Sequence, residues 1–421
     1  MTPAGKYVGP GSCSAVACHG GIAPHMTTKV LQNEYSTWVT EDKHARAYTA
    51  LTGSLGRQMA EILKIGPADK SQKCLVCHAV SVDKAHRGRE FDIAEGVSCE
   101  SCHGPASAWL GPHIQPTAQH ADMVRLGLID NKNLVKRSEE CLSCHLGNGS
   151  AENGGMEVDH EMIAAGHPDL TFELDSFTAV EPPHWIEKNK DPLFGMRAWG
   201  VGQAVQMREG MIRLAKRAHA GPWPEFSEMD CMTCHHALTG PESWRQKDLI
   251  GVEAPHDGLA GHRAGDPPFN LARFVVFRHF AREIDPSTTK ELEAETEKVA
   301  RLVTSMSSDR AAVESAANRA AELAGRLVEE VDAAQYDRAR TERLLHAIAS
   351  DGDLISRQGE RSAEQATMTV DSLYIAIAKA GGVNQNTRAA IDALFAQVKN
   401  PSAYSAPQFA AGMKNVAATL R

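Results

Sequence analysis

Hydrophobic positions in the last third of the chain recur with the period of a helix. Val299, Leu302, Val303 and Met306 fall at i, i+3, i+4 and i+7, and Val370, Leu373, Tyr374 and Ile377 repeat that spacing. Leu323, Leu327 and Val331 follow i, i+4, i+8. Each series lays an apolar stripe along one helix face. The stretches "ASDGD" and "KAGGVNQN" interrupt the pattern with residues that end helices. Residues 286–421 are therefore expected to form an antiparallel helical bundle packed on what precedes it. Its expected role is structural first, with dimerisation into a homo-oligomer or partner docking as further roles. The first 285 residues read differently. They are rich in Gly and Pro, little alternates with period two, and short helical pieces with long connections are expected. The fold class is thus mainly α with few strands. A length of 421 residues suggests two or three domains, and the change of pattern near Asp285-Pro286 divides the chain into 1–285 and 286–421.

Composition sharpens that division. All ten cysteines and 18 of the 19 histidines precede residue 280, so the tail, holding only His346, is expected to carry no cofactor. The cysteines fall in five close pairs, each followed directly by a histidine. The first is Cys13/Cys18 with His19, in "CSAVACHGG". Then come Cys74/Cys77 with His78, Cys99/Cys102 with His103, Cys141/Cys144 with His145, and Cys231/Cys234 with His235. At this histidine frequency the five coincidences have a chance probability of about one in five million. The C-x-x-C-H spacing has a mechanism. Two thiols one helical turn apart form thioethers with the two vinyl groups of a haem, and the next residue presents its imidazole to the iron.

Two other chemistries use such pairs. A four-cysteine zinc site takes two C-x-x-C pairs, but it has no use for the histidines, and five pairs cannot be matched in twos. Thioredoxin-type redox motifs normally occur once, near a βαβ pattern. Haem fits the four regular sites. The first pair has two extra residues, which must bulge out, and a Cys13–Cys18 disulfide is the alternative there. With every other cysteine committed to haem, the first pair is read the same way, giving five covalent haems c. Their rings would supply large apolar groups to a chain only 5% aromatic.

Formal charge is −9 before the haem propionates are counted. That argues against nucleic acid and anionic membrane, and for redox partner proteins with a basic docking face. No run of about 18 apolar residues occurs, so no transmembrane segment is expected. The start, "MTPAGKYVGPGSC", has no hydrophobic signal region. Haem attachment to C-x-x-C-H takes place outside the cytoplasm, so a removed export signal and a periplasmic or extracellular location are expected.

Each iron has a second axial position, and 14 histidines remain once five are proximal. His160 and His167 are seven residues apart, which on a continuous helix is two turns, about 10.5 Å on one face, and suits two neighbouring haems. Gly166 and Pro168 would instead place His167 in the cap. His44 lies in a helical context and His113 follows His103 by ten residues; both are candidate ligands. His236 follows His235 directly and points elsewhere, toward another haem or a propionate. His25, His86, His120, His184, His219 and His279 lack such context and read as surface or hydrogen-bonded residues. His256 and His262 read as solvated, in a Gly-rich loop.

The strings "CHGG", "DKHARAY", "GVSCESCHGPASAWLGPH", "CLSCHLGN", "DHEMIAAGHPDLTFEL" and "MDCMTCHHALTGPESWRQ" together carry a resemblance. Over roughly residues 7–285 the chain resembles the multihaem c-type cytochrome family that includes the tetrahaem electron acceptor of hydroxylamine oxidoreductase. The fifth haem and helical tail look like its larger, pentahaem forms. The resemblance implies mainly bis-histidine haems in stacked pairs, with His44, His113, His160 and His167 as distal ligands and one haem without a protein sixth ligand. It also implies electron transfer rather than catalysis. The alternative is a redox enzyme acting on a small nitrogen or sulfur species at one open haem. The related nitrite reductases use C-x-x-C-K, and no pair here is followed by lysine. Hydroxylamine oxidation in the superfamily uses a haem-linked tyrosine, and only Tyr7, Tyr35 and Tyr48 lie before residue 285, away from the later motifs.

Overall fold

In the computed structural model, residues 5–27, 30–149, 155–169, 171–185, 187, 191–235 and 266–420 are described. Among the described residues the protein is mainly helical, at 66% helix with no strand. Among the described residues only two isolated bridges occur, Tyr7 with Arg87 and Met229 with Phe269. Two compact units divide the chain. The first takes Met1–Cys144, Glu152–Pro168 and Thr178–Asn189; the second takes His145–Ala151, Asp169–Phe177 and Lys190–Arg421.

The first unit is built of short helices and 3₁₀ turns, among them Glu34–Glu41, Ala47–Thr52, Ser54–Leu63, Gln72–His78, Cys99–His103, His120–Arg125 and His160–Ala164. Its apolar cores are small. Leu51, Ala60, Ala68, Leu75 and Ala79 form one, with Tyr48, Ile65, Cys74 and Ile93 against it. Ala106, Trp109 and Met123 form another. Polar ties do much of the remaining fastening. The buried Glu100 carboxylate accepts from the Val8, Gly9 and Ala106 amides, pinning the N-terminal segment to the third cysteine motif. A carboxylate taking three N–H donors is a charge-assisted cluster, stronger than neutral hydrogen bonds.

The second unit holds a conventional core. Helix Phe194–Ala220 is buried around its whole circumference, with Trp199, Val201, Ala204, Val205 and Leu214 fully enclosed, as a central core helix must be. It packs against Arg310–Ala333, whose Leu323, Leu327 and Val331 are fully buried. Pro286–Thr304, Arg338–Ser350, Glu360–Gly381, Gln385–Val398 and Ala406–Thr419 complete the unit.

The compositional boundary at Asp285-Pro286 is a helix start. Asp285 caps the helix by accepting from the Ser287 and Thr288 amides, and Pro286 sits where its missing N–H costs nothing. The division of packing falls earlier, near residue 190. The all-round burial of Phe194–Ala220 is the reason, since that helix needs the tail helices to cover it. Of the periodic positions, Met306 departs from expectation. Its helix ends at Thr304, and Met306 lies beyond it in a left-handed conformation (φ 49°), exposed. The predicted breaks fall as expected. One helix ends at Ser350, and Asn384 caps the helix after "KAGG" through the Asn386 and Thr387 amides.

Candidate haem sites

Four of the cysteine pairs lie on helical turns. Gln72–His78, Cys99–His103 and Leu134–His145 end on the motif histidine, and Cys231–Cys234 ends one residue before it. At i and i+3 the two thiols of each pair share one helix face. The last of these helices is capped by Asp230, which accepts from the Thr233 amide. In that motif the His235 amide donates to the Cys231 carbonyl at 2.8 Å. The first motif reaches the same closure by a longer route. A 3₁₀ turn ends at Cys13, the Cys18 and Gly20 amides both donate to Ala15, and the His19 amide returns to the Cys13 carbonyl at 3.3 Å. The two extra residues are taken up in the bulge. All ten cysteines are free thiols, so Cys13 and Cys18 are not joined as a disulfide.

Thiols of different motifs stand side by side in the first unit. Cys13 neighbours Cys99, and the pair lowers the Cys13 thiol and raises that of Cys99. Cys77 neighbours Cys144 in the same way, which lowers the Cys144 thiol and raises that of Cys77. Burial pushes Cys141 up to about 12 and Cys102 well above the thiol range, and each of these two also feels the acidic side chains around it. Cys102 nevertheless retains accessible surface. The neighbours join the motifs in the order second, fourth, third, first.

Several histidines have one ring nitrogen committed. His19 Nδ1 bonds Glu34 at 2.9 Å, and the Glu34 carboxyl is held down by that bond against the opposing effect of burial. His78 Nδ1 bonds the Ala47 carbonyl at 2.9 Å, His113 Nδ1 the Leu110 carbonyl, and His167 Nδ1 the Pro168 carbonyl at 2.8 Å. Fixing Nδ1 this way orients the ring and makes Nε2 the nitrogen that could take a metal. The His19 and His113 ring centres are 6.3 Å apart with planes 13° from parallel. Those of His78 and His167 are also 6.3 Å apart, with planes at 83°. His103 is half-buried, and desolvation, with the charges of His184 and His19, lowers it to about 4.

His44 Nδ1 lies 3.0 Å from both Asp42 and Glu181, which raise it to about 10; these three groups could together hold a metal ion. Its charge reaches Cys144 of the fourth motif. His145 packs against Phe172 and Phe177, ring centres 5.4 and 5.3 Å away. The expected two-turn helix bearing both His160 and His167 is not what forms. His160 begins helix His160–Ala164 after the Asp159 cap. Gly166 turns to φ +115°, and the His167 amide donates back to Met162, so His167 stands past the helix end. His235 is exposed, and His236 lies outside the described residues, as do His256 and His262.

Glu34 and Glu181 carry no signal in the sequence. The two carboxylates act on histidines 15 and 137 residues away in sequence, and no local pattern reports that. Of the remaining histidines, His120 bonds Asp130 at 2.8 Å, His219 meets Glu314, and His279 bonds Asp351 at 2.9 Å.

The fifth motif stands in the second unit above a buried charge cluster. Burial alone would raise the Glu228 carboxyl, but Arg213, Arg217 and Arg273 outweigh it and hold the group at about 2. The Arg213 and Arg217 guanidiniums donate to it at 2.9 and 2.6 Å. Arg361, from helix Glu360–Gly381, donates to the Ser227 carbonyl and pairs with Asp169. Residues 228–230 are further tied to 268–270 through Asn270 N–H to Glu228 and Asp230 N–H to Pro268, both 2.8 Å.

Recurrent units of two thiols and one imidazole, with Nδ1 tied to an acceptor at His19 and His78, form a donor set suited to covalent haem. Residues 13–104 match the family model described as cytochrome c554 and c-prime, which spans the first three motifs. That match supports a multihaem c-type cytochrome family, covalently bound haem c and a role in electron transfer with redox partners. Comparison with curated proteins and with solved structures gave no match. No helix among the described residues is long and apolar enough to cross a membrane.

Proposed function

We propose that the protein is a pentahaem c-type cytochrome that passes electrons along covalently attached, mostly bis-histidine haems. The observation that carries this reading is the recurrence of the motif, two thiols closed by a backbone turn onto a histidine, with the thiols of four motifs neighbouring one another in series. Haem iron supplies the one-electron chemistry, and the chain sets its potential through axial ligands, hydrogen bonds and burial. In this reading the cysteines anchor; His19, His78, His103, His145 and His235 are proximal ligands. His44, His113, His160 and His167 are distal, with His236 a further candidate. Glu34, the Ala47 carbonyl, the Leu110 carbonyl and the Pro168 carbonyl orient their rings.

Residues 1–285 would carry the haems, and 286–421 would carry none while completing the core that supports the fifth. Partners would be redox proteins with a basic face, matched to a chain of net charge −9. The location would be periplasmic or extracellular, after removal of an export signal, and kinship would lie with the acceptors of hydroxylamine oxidoreductase. Absorption and electron paramagnetic resonance of the oxidised protein test this. Low-spin ferric haem should dominate, with at most one high-spin iron, and reductant should fill all haems. Several high-spin irons, or one that turns over nitrogen oxides rapidly, would replace the carrier with an enzyme.

A further inference from the structure

Resting on the haem-carrier reading, we infer that His167 closes the second haem opposite His78, with the two imidazole planes nearly perpendicular. A metal–imidazole bond is about 2 Å and the ring centre lies about 1.1 Å beyond the nitrogen, so two imidazoles trans on one metal set their centres about 6.3 Å apart. The His78 and His167 centres are 6.3 Å apart. Both rings have Nδ1 tied to a backbone carbonyl, His78 to Ala47 and His167 to Pro168, so in each ring Nε2 is the nitrogen that would bind the iron.

The backbone explains how His167 arrives there. Had the helix from His160 continued, His167 would stand two turns along the same face. Instead Gly166 takes φ +115°, a region open to glycine, and the His167 amide closes on Met162 at 2.9 Å. Leu55 and Met59 of helix Ser54–Leu63 pack at Gly166. The turn is therefore supported from the same unit that carries His78, and His160 is left to serve another site.

The angle between the planes has a spectroscopic consequence. Each imidazole interacts most strongly with the iron dπ orbital perpendicular to its own plane. Perpendicular rings act on both dπ orbitals alike and leave them close in energy, giving a highly anisotropic low-spin ferric signal. Parallel rings act on one orbital, split the pair and give a rhombic signal. The 83° pair at His78/His167 and the 13° pair at His19/His113 should therefore be separable in one spectrum.

The test is low-temperature electron paramagnetic resonance of the oxidised holoprotein, wild type, His167→Gly and His113→Gly, with haem counted by intact mass in each. The wild type should contain both signal types. His167→Gly should lose one highly anisotropic signal, gain one high-spin signal and keep the rhombic one, and added imidazole should return that iron to low spin. His113→Gly should lose the rhombic signal instead. A wild-type spectrum without the anisotropic signal overturns the inference, and this holds even where a variant fails to fold. So does an unchanged high-spin count in His167→Gly, or loss of its rhombic signal. A wild-type mass without covalent haem would instead sink the carrier reading itself.

Discussion

Glu228→Gln removes one buried charge and should destabilise the unit that carries the fifth motif by about 3 kcal/mol. The magnitude follows from the structure. The Glu228 carboxyl is held at about 2 against an ordinary 4.5, and a difference of about 2.5 units is worth roughly 3.4 kcal/mol. Breaking a buried ion pair by removing one partner costs about 3–5 kcal/mol, because the surviving charges are stranded. Here Arg213 and Arg217, both buried, would be stranded together. For a unit of this size the melting temperature should fall by roughly 6–12 °C, followed by far-ultraviolet circular dichroism. Exposed Glu322→Gln, which removes only a surface pairing with Arg319 and Arg326, is the control and should leave melting unchanged. The pH dependence has a definite sign. A carboxyl depressed in the folded state contributes stability above its ordinary value, and that contribution is lost as pH falls through the folded value. The gap between wild type and Glu228→Gln should be full above pH 5 and close as pH falls toward 2. A gap that is absent at neutral pH, or that widens on acidification, would refute the cluster as a net stabiliser.

Glu34→Gln should raise the potential of the first haem. The carboxylate bonded to His19 Nδ1 favours ferric iron, and weakening that bond by about 1 kcal/mol corresponds to roughly 40 mV for one electron; an unchanged redox titration would dismiss the bond as inert. Truncation after Asp285 should yield a protein carrying four haems rather than five. Arg361 braces Ser227 beside the fifth motif, and Gly359 lies against its cap Asp230; five haems in the truncated chain would show that brace to be dispensable. His44→Ala should open one iron and add one high-spin signal without detaching a haem, since the thioethers remain. No new signal would leave His44 as a carboxylate partner of Asp42 and Glu181 only.

The tail helices were readable because each buries a single stripe. Leu323, Leu327 and Val331 are fully enclosed, as their spacing requires. Phe194–Ala220 was not, since residues buried on every side leave no periodic contrast. That helix is also why the packing divides earlier in the chain than the composition does. The cysteine pairs were legible because thioether chemistry fixes their spacing locally. The meetings of Cys13 with Cys99 and Cys77 with Cys144 join segments far apart in sequence, and no local rule announces them. His167 falls between these cases. Gly166 and Pro168 signalled the helix end, but not that the turn would set the ring 6.3 Å from that of His78.

Intact mass of the denatured protein, after acid and organic solvent have stripped any non-covalent haem, tests the central claim most directly. Five pairs of thioethers should leave the chain heavier by five haems, about 3 kDa in all, with peptide mapping placing one haem on each pair, Cys13/Cys18 included. A chain of apo mass would contradict the account outright. Four haems, with Cys13 and Cys18 recovered as a disulfide, would contradict the first site and end the series at the third motif.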